Sequence, residues 1–209
     1  FSLPEDILIP NNNNLHRTDL DRDKYIIDGK LNFKRRRLGI PINLLICINL
    51  RCVIDCIYCY ANKKAIYTSL KPEKWVSLIY EAKRIGIENV DVTGSKFFIN
   101  PNWQKIAKAI VDCDYEPEIS TKVPLSYLTI DKIVEVGLKS IQFSLDTLDP
   151  YHAKRSLRVE DNYVANLLDT IRYCDQKGLE IVIKPSLNKE TCTVENVNCI
   201  IDFAKTLKN

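Results

Sequence analysis

From Pro41 onward one pattern repeats: a short apolar run, a polar residue or loop at its end, then a longer stretch with helical spacing. "INLLICINL" is followed by "PEKWVSLIYEAKRIG", "IENVDV" by "WQKIAKAIVDC" and "EPEIST" by "YLTIDKIVEVG". "LKSIQFSL" leads to "YVANLLDTIRYCDQKG", and "LEIVIKPSL" to "VENVNCIIDFAKTL". Trp75, Leu78, Ile79 and Ala82 share one helical face, as do Trp103, Ile106, Ala107 and Ile110, and again Val164, Leu167, Leu168 and Ile171. Gly86, Gly137 and Gly178 each fall where a helix gives way to a strand, the left-handed position that glycine fills without a Cβ penalty. Such alternation predicts an α/β fold: a parallel sheet with helices packed outside it. Five such units are visible, and the chain stops where a sixth strand would begin.

The polar residues collect at the carboxyl ends of the expected strands. They are Thr93, Gly94, Ser95 and Lys96; Ser120, Thr121 and Lys122; Ser144 and Asp146; and Lys184 and Ser186. That edge of a parallel sheet or barrel carries the active site, so these residues are expected to face one pocket. Lys96, Lys122 and Lys184 are either solvated rim lysines or a positive mouth for an anionic substrate.

Composition narrows the partners. A chain of 209 residues, 45% of them hydrophobic, can bury one sizeable core. No apolar run reaches the roughly 18 residues of a membrane span, and no signal peptide opens the sequence. A net charge of +3 is too mild to call for a nucleic-acid partner; the one dense basic run is "FKRRR", Phe33 to Arg37. Eight cysteines without a secretory signal point to metal binding or redox work in a reducing cytoplasm. Residues 1–40 read as an irregular arm and a β-hairpin turning at Asp28-Gly29, and residues 41–209 as the core. The chain starts at Phe1 and contains no methionine, which fits either a fragment or a sequence with residues missing from it.

Three of the cysteines stand together in "CVIDCIYCY": Cys52, Cys56 and Cys59, spaced C-x3-C-x2-C directly after the first strand. Thiolates this close on one loop can ligate neighbouring irons of a single cubane cluster. A structural zinc site wants four ligands. Cys47 is the remaining candidate, but its place inside "LLICINL" reads as a buried small hydrophobe. Cys113 and Cys174 fall at core spacing. Three ligands on a four-iron cluster leave one iron open for chemistry.

With its spacing, its place after strand one and the ordered strand-end polar residues, this loop resembles that of the radical S-adenosylmethionine (radical SAM) superfamily. The resemblance runs from about Pro41 to the C-terminus and implies a partial (β/α)6 barrel. It implies a [4Fe–4S] cluster on Cys52, Cys56 and Cys59, and S-adenosylmethionine chelating the open iron through its amino and carboxylate groups. Tyr58 matches the family's aromatic residue before the third cysteine. Gly94 and Ser95 occupy the segment that approaches the cosubstrate's amino group, with Lys96 where an acidic residue is common and Phe97 in place of proline. Ser144 and Asp146 match the strand-four segment that meets the ribose or carboxylate, and Lys122 is counted with them as a strand-end contact. Arg155 and Arg158 are both placed to bind the carboxylate. On residues alone, Ser144 and Asp146 are equally readable as caps of the next helix.

The family's reaction is reductive cleavage of the cosubstrate to a 5′-deoxyadenosyl radical, fed by a donor such as flavodoxin or ferredoxin. "STKVPLS", "IQFSLDTLD" and the hairpin before the cluster look like members that modify peptides or proteins, by cross-linking or epimerisation. Those members add a C-terminal SPASM extension with auxiliary clusters, which nothing in this chain matches. The alternatives are a radical SAM enzyme acting on RNA or a small metabolite, and a zinc-stabilised α/β binding module.

Overall fold

The computed structural model describes residues 42–48, 52–59, 70–93 and 97–209. The arm and hairpin expected over residues 1–40, and Gly94, Ser95 and Lys96, lie outside them. Eleven elements alternate along the described chain: β1 (Asn43–Cys47), α1 (Pro72–Arg84), β2 (Asn89–Thr93), α2 (Trp103–Asp112), β3 (Ser120–Thr121), α3 (Tyr127–Val136), β4 (Ser140–Phe143), α4 (Pro150–Leu157), α5 (Tyr163–Gln176), β5 (Glu180–Ile183) and α6 (Val194–Ala204).

All pairings are parallel. β1 lies beside β2 with Asn43 opposite Asn89. β4 lies between β3 and β5, with Gln142 opposite Ser120 on one side and Val182 on the other. A parallel bridge between Val92 and Ile119 joins the two groups. The strands therefore follow one another in chain order, as in a (β/α) barrel, because a parallel neighbour is reached only by a crossover that here contains a helix. This is the partial barrel expected from the sequence.

Strand alternation divides the sheet into two unlike faces. Ile46, Val90, Val92, Ile119, Ile141 and Phe143 point into one continuous core with Ile79 of α1, Ile106 and Ile110 of α2, Ile130 and Ile133 of α3, and Leu167 and Ile171 of α5. The opposite face is largely polar. It carries Asn43, Asp91, Ser120, Gln142 and Lys184, tied by cross-strand hydrogen bonds from Asn43 Nδ2 to Asp91 Oδ2 (2.8 Å) and from Gln142 Nε2 to Ser120 Oγ (2.9 Å).

Three expectations need correction. Cys47 is exposed, not buried; β1 sends Ile46 and Ile48 into the core, so alternation turns Cys47 and Leu45 to the other face. Leu78 is 37% exposed, because α1 meets the sheet through Ile79 and Ala82. A helix also stands where none was expected: α4 is eight residues of mixed polarity, set by Pro150 at its first position and by Asp149, whose side chain accepts from Tyr151 N at 2.8 Å.

Gly137 and Gly178 adopt φ of +93° and +80° at the ends of α3 and α5. A Cβ on Gly137 would sit 3.3 Å from Val111 Cγ1, whereas one on Gly178 would meet nothing within 4 Å. Gly178→Ala should therefore cost roughly 1 kcal/mol, the left-handed backbone penalty alone. Gly137→Ala should cost more, because Val111 must also move. Urea denaturation of the two variants reads the difference, and equal losses would contradict it.

Candidate active site

The cysteine loop follows β1 and is anchored at a distance in sequence. Asp55 N donates to Leu157 O at 3.3 Å and Ile57 N to Ser156 O at 2.9 Å, so the last turn of α4 supplies its unpaired carbonyls to the loop. Arg158, in left-handed conformation at the end of α4, adds an ion pair to Asp55. Within the loop Cys59 N donates to Cys56 O at 3.2 Å, and Ile54 N donates to Cys52 Sγ at 3.4 Å. All three thiols are free; Cys52 and Cys56 are half-buried and Cys59 is exposed.

Tyr58 turns the loop toward the strand ends. Its hydroxyl donates to Asp146 Oδ2, and Lys122 Nζ donates to Tyr58 Oη at 2.6 Å. Lys122 Nζ also reaches both oxygens of Asp146 at 2.8 Å, and Ser186 N donates to Asp146 Oδ1 at 2.9 Å. One carboxylate thereby joins the cysteine loop to the segments after β3, β4 and β5. Its side chain is 0% exposed and that of Lys122 13%, so the two charges hold each other where solvation is lost. Tyr163 Oη donates to Lys122 O at 2.7 Å, and Asn196 Nδ2 to Asp146 O at 2.8 Å, fixing the backbones of both partners.

Protonation follows from the same burial. Burial pushes the Tyr58 hydroxyl well above its ordinary range, and its hydrogen bond to Asp146 pushes it further. Tyr163 is raised by burial first and then by the charge of Asp146. Burial raises the Cys56 thiol, opposed chiefly by the Lys122 cation. By contrast, burial lifts Cys174 to about 12 and also raises Cys113, so these two are inert core thiols, as their spacing implied.

The remaining sequence candidates fall as follows. Asp146 is not a helix cap; Asp149 takes that place for α4. Ser144 stands at the end of β4 with its N–H donating to Thr121 O at 3.0 Å. Arg155 makes a two-pronged pair with Glu190, at 2.7 and 3.1 Å, and Arg158 the pair with Asp55. Lys184 pairs with Glu118 at 2.5 Å. Gly94 and Ser95 lie outside the described residues. Sequence reasoning missed Asn196, which sits in the first turn of α6 with no local motif to mark it, and the role of Tyr163.

The donor set fits an iron–sulfur cubane. Among the described residues no three His, Cys, Asp or Glu side chains converge on one metal-ion position. A cubane does not need that convergence, because each thiolate takes its own iron. Free, partly exposed thiols on an anchored loop, with a backbone N–H directed at one sulfur, suit it.

Known proteins resemble this chain in sequence and in fold. The sequence model of the Radical SAM superfamily matches residues 46–191. A probable GTP 3′,8-cyclase of Pyrococcus abyssi is 30% identical over 115 residues, which are 54% of this chain and 38% of that protein. The PqqA peptide cyclase of Granulibacter bethesdensis is 26% identical over 171 residues, 80% of this chain and 45% of its own length. The crystal structure of Streptococcus suis SuiB bound to precursor peptide SuiA shares the fold with a TM-score of 0.69 at 18% identity, over 78% of this chain and 36% of SuiB. The chain thus spans less than half the length of each of these three proteins.

The Lys122–Asp146 contact makes a stability prediction. Lys122→Met strands a buried carboxylate and should destabilise the chain by about 3 kcal/mol. Arg155→Met breaks a pair whose arginine is 52% exposed, against a Glu190 side chain at 13%, and should cost less, because water reaches the arginine end. Denaturant titration of both variants tests the ranking; equal losses would show that burial does not set the strength of the contact.

Proposed function

The chain belongs to the radical S-adenosylmethionine superfamily, and from that premise we propose that it abstracts a hydrogen atom from a peptide or protein substrate. The superfamily's cofactors are a [4Fe–4S] cluster and S-adenosylmethionine. Bound together and given one electron, they supply a 5′-deoxyadenosyl radical. Cys52, Cys56 and Cys59 are the cluster ligands in this proposal. Asp146 and Lys122 hold Tyr58 against the strand ends, while Gly94, Ser95 and Ser144 contact the cosubstrate. Arg155 or Arg158 would meet its carboxylate, giving up Glu190 or Asp55 respectively. The protein's part is to orient these groups and keep stray water out. A donor of the flavodoxin or ferredoxin class in the cytoplasm provides the electron.

The observation that favours a peptide is the charge balance of the rim. Lys122, Lys184, Arg155 and Arg158 are the cations that the sequence puts forward there among the described residues, and each is paired with a carboxylate. A triphosphate would have to displace several of those carboxylates at once; a peptide backbone requires hydrogen bonds. Similarity to the PqqA peptide cyclase over 80% of the chain supports the same reading. A second reading, a guanosine nucleotide substrate, rests on the 30% identity with the Pyrococcus abyssi protein.

Isotope transfer separates the two. The protein is incubated anaerobically with S-adenosylmethionine and dithionite, with either a perdeuterated peptide pool or ribose-deuterated GTP. Deuterium should appear in 5′-deoxyadenosine from the peptides, and Cys56→Ala should make no 5′-deoxyadenosine at all. Deuterium from GTP alone would contradict the peptide assignment.

A further inference from the structure

The polar face of the sheet holds an anomaly outside the residues assigned to the cofactors. Gln142, in the middle of β4, is only 7% exposed, and its Oε1 is shielded from solvent without a hydrogen-bond partner among the described residues. Its Nε2 is satisfied by Ser120 Oγ at 2.9 Å. Whichever way the amide is turned, the Ser120 hydroxyl serves one end of it, so one end stays unpaired. A buried polar atom left without a partner is unfavourable and calls for an explanation.

The ion pair on the same face is weak. Lys184, just after β5, pairs with Glu118, just before β3, and so straddles β4 on the face that carries Gln142. Both side chains are 52% exposed, and an ion pair this open contributes little. Glu118 and its neighbours are polar: Asp91 Oδ1 accepts from Glu118 N at 3.3 Å, and Asn43 from β1 bonds Asp91. An amide with one end unsatisfied thus shares the face that the helices leave open with a loosely held ion pair.

We propose that Gln142, flanked by Ser120, is a binding subsite for an amide group of the substrate, and that the Lys184–Glu118 pair is the strap the substrate displaces. An amide carries a donor and an acceptor together, so it satisfies the free end of Gln142 in either orientation. A carboxylate or phosphate offers acceptors only and would meet Glu118 and Asp91 as like charges. The inference rests on the peptide reading above and names how that substrate is held.

Side-chain NMR tests it on the cluster-loaded protein kept anaerobic. The chain has three glutamines, Gln104, Gln142 and Gln176, so selective 15N labelling gives three side-chain amide signals, and Gln142→Leu identifies its own. Titration with N-acetylglycine N-methylamide should move the Gln142 signal to saturation and leave the other two in place. Lys184→Met, which removes the strap, should tighten that binding about two- to fivefold. A Gln142 signal that stays fixed, that moves only together with the others, or that responds to GTP and not to the diamide would overturn the assignment. So would weaker binding by Lys184→Met. Diamide binding at Gln142 without deuterium transfer from peptides would sink the peptide reading and leave the subsite; transfer with Gln142 silent would do the reverse.

Discussion

A single buried carboxylate organises the carboxyl end of this barrel. Asp146 receives Lys122 on both oxygens, the Tyr58 hydroxyl and the Ser186 N–H, and these donors come from three segments other than its own. Charges removed from water must find partners or be expelled, so each of those segments is held to the others by the cost of leaving Asp146 unmatched. The contact contributes less to net stability than its Coulomb attraction suggests, since both ions were well solvated before folding. Its consequence is geometric: it sets the cysteine loop in one register relative to β3, β4 and β5.

The loop has a second, independent anchor in the last turn of α4, through Ser156 O, Leu157 O and the Arg158–Asp55 pair. Cys56 is bracketed by Asp55 and Ile57 and followed by Tyr58, while Cys59 is exposed beyond them. A ligand loop held at both sides before metal arrives loses less conformational freedom on binding than a free one. Exposure separates the loop cysteines from the core pair: Cys113 and Cys174 are buried, whereas Cys52 and Cys56 are half-buried and Cys59 is exposed.

The alternation of strand and helix was legible because periodicity and glycine punctuation are local properties. Gly137 and Gly178 closed their helices where the pattern put them, and the core faces of α2 and α5 held Trp103, Ile106, Ile110, Leu167 and Ile171 as the spacing implied. The position of the cysteine loop and the strand-end polar residues was equally readable. What the sequence hid was pairing over distance. Tyr58 and Asp146 are 88 residues apart, Arg158 and Asp55 are 103, and nothing local announces either contact. Cys47 was misjudged because an apolar run conceals which of its alternate residues face outward. α4 escaped because eight mixed residues carry too little periodicity, leaving its capping pair, Asp149 and Pro150, as the only signal.

The central claim is that three thiolates hold a cubane with one iron left for S-adenosylmethionine. Electron paramagnetic resonance of the reduced, anaerobically reconstituted chain, with and without S-adenosylmethionine labelled by 15N and 17O in its amino and carboxylate groups, tests that directly. The account predicts a cluster signal that shifts on addition and acquires hyperfine coupling to both labels. A signal indifferent to the labelled compound, or a chain that takes up zinc and no iron, would contradict it.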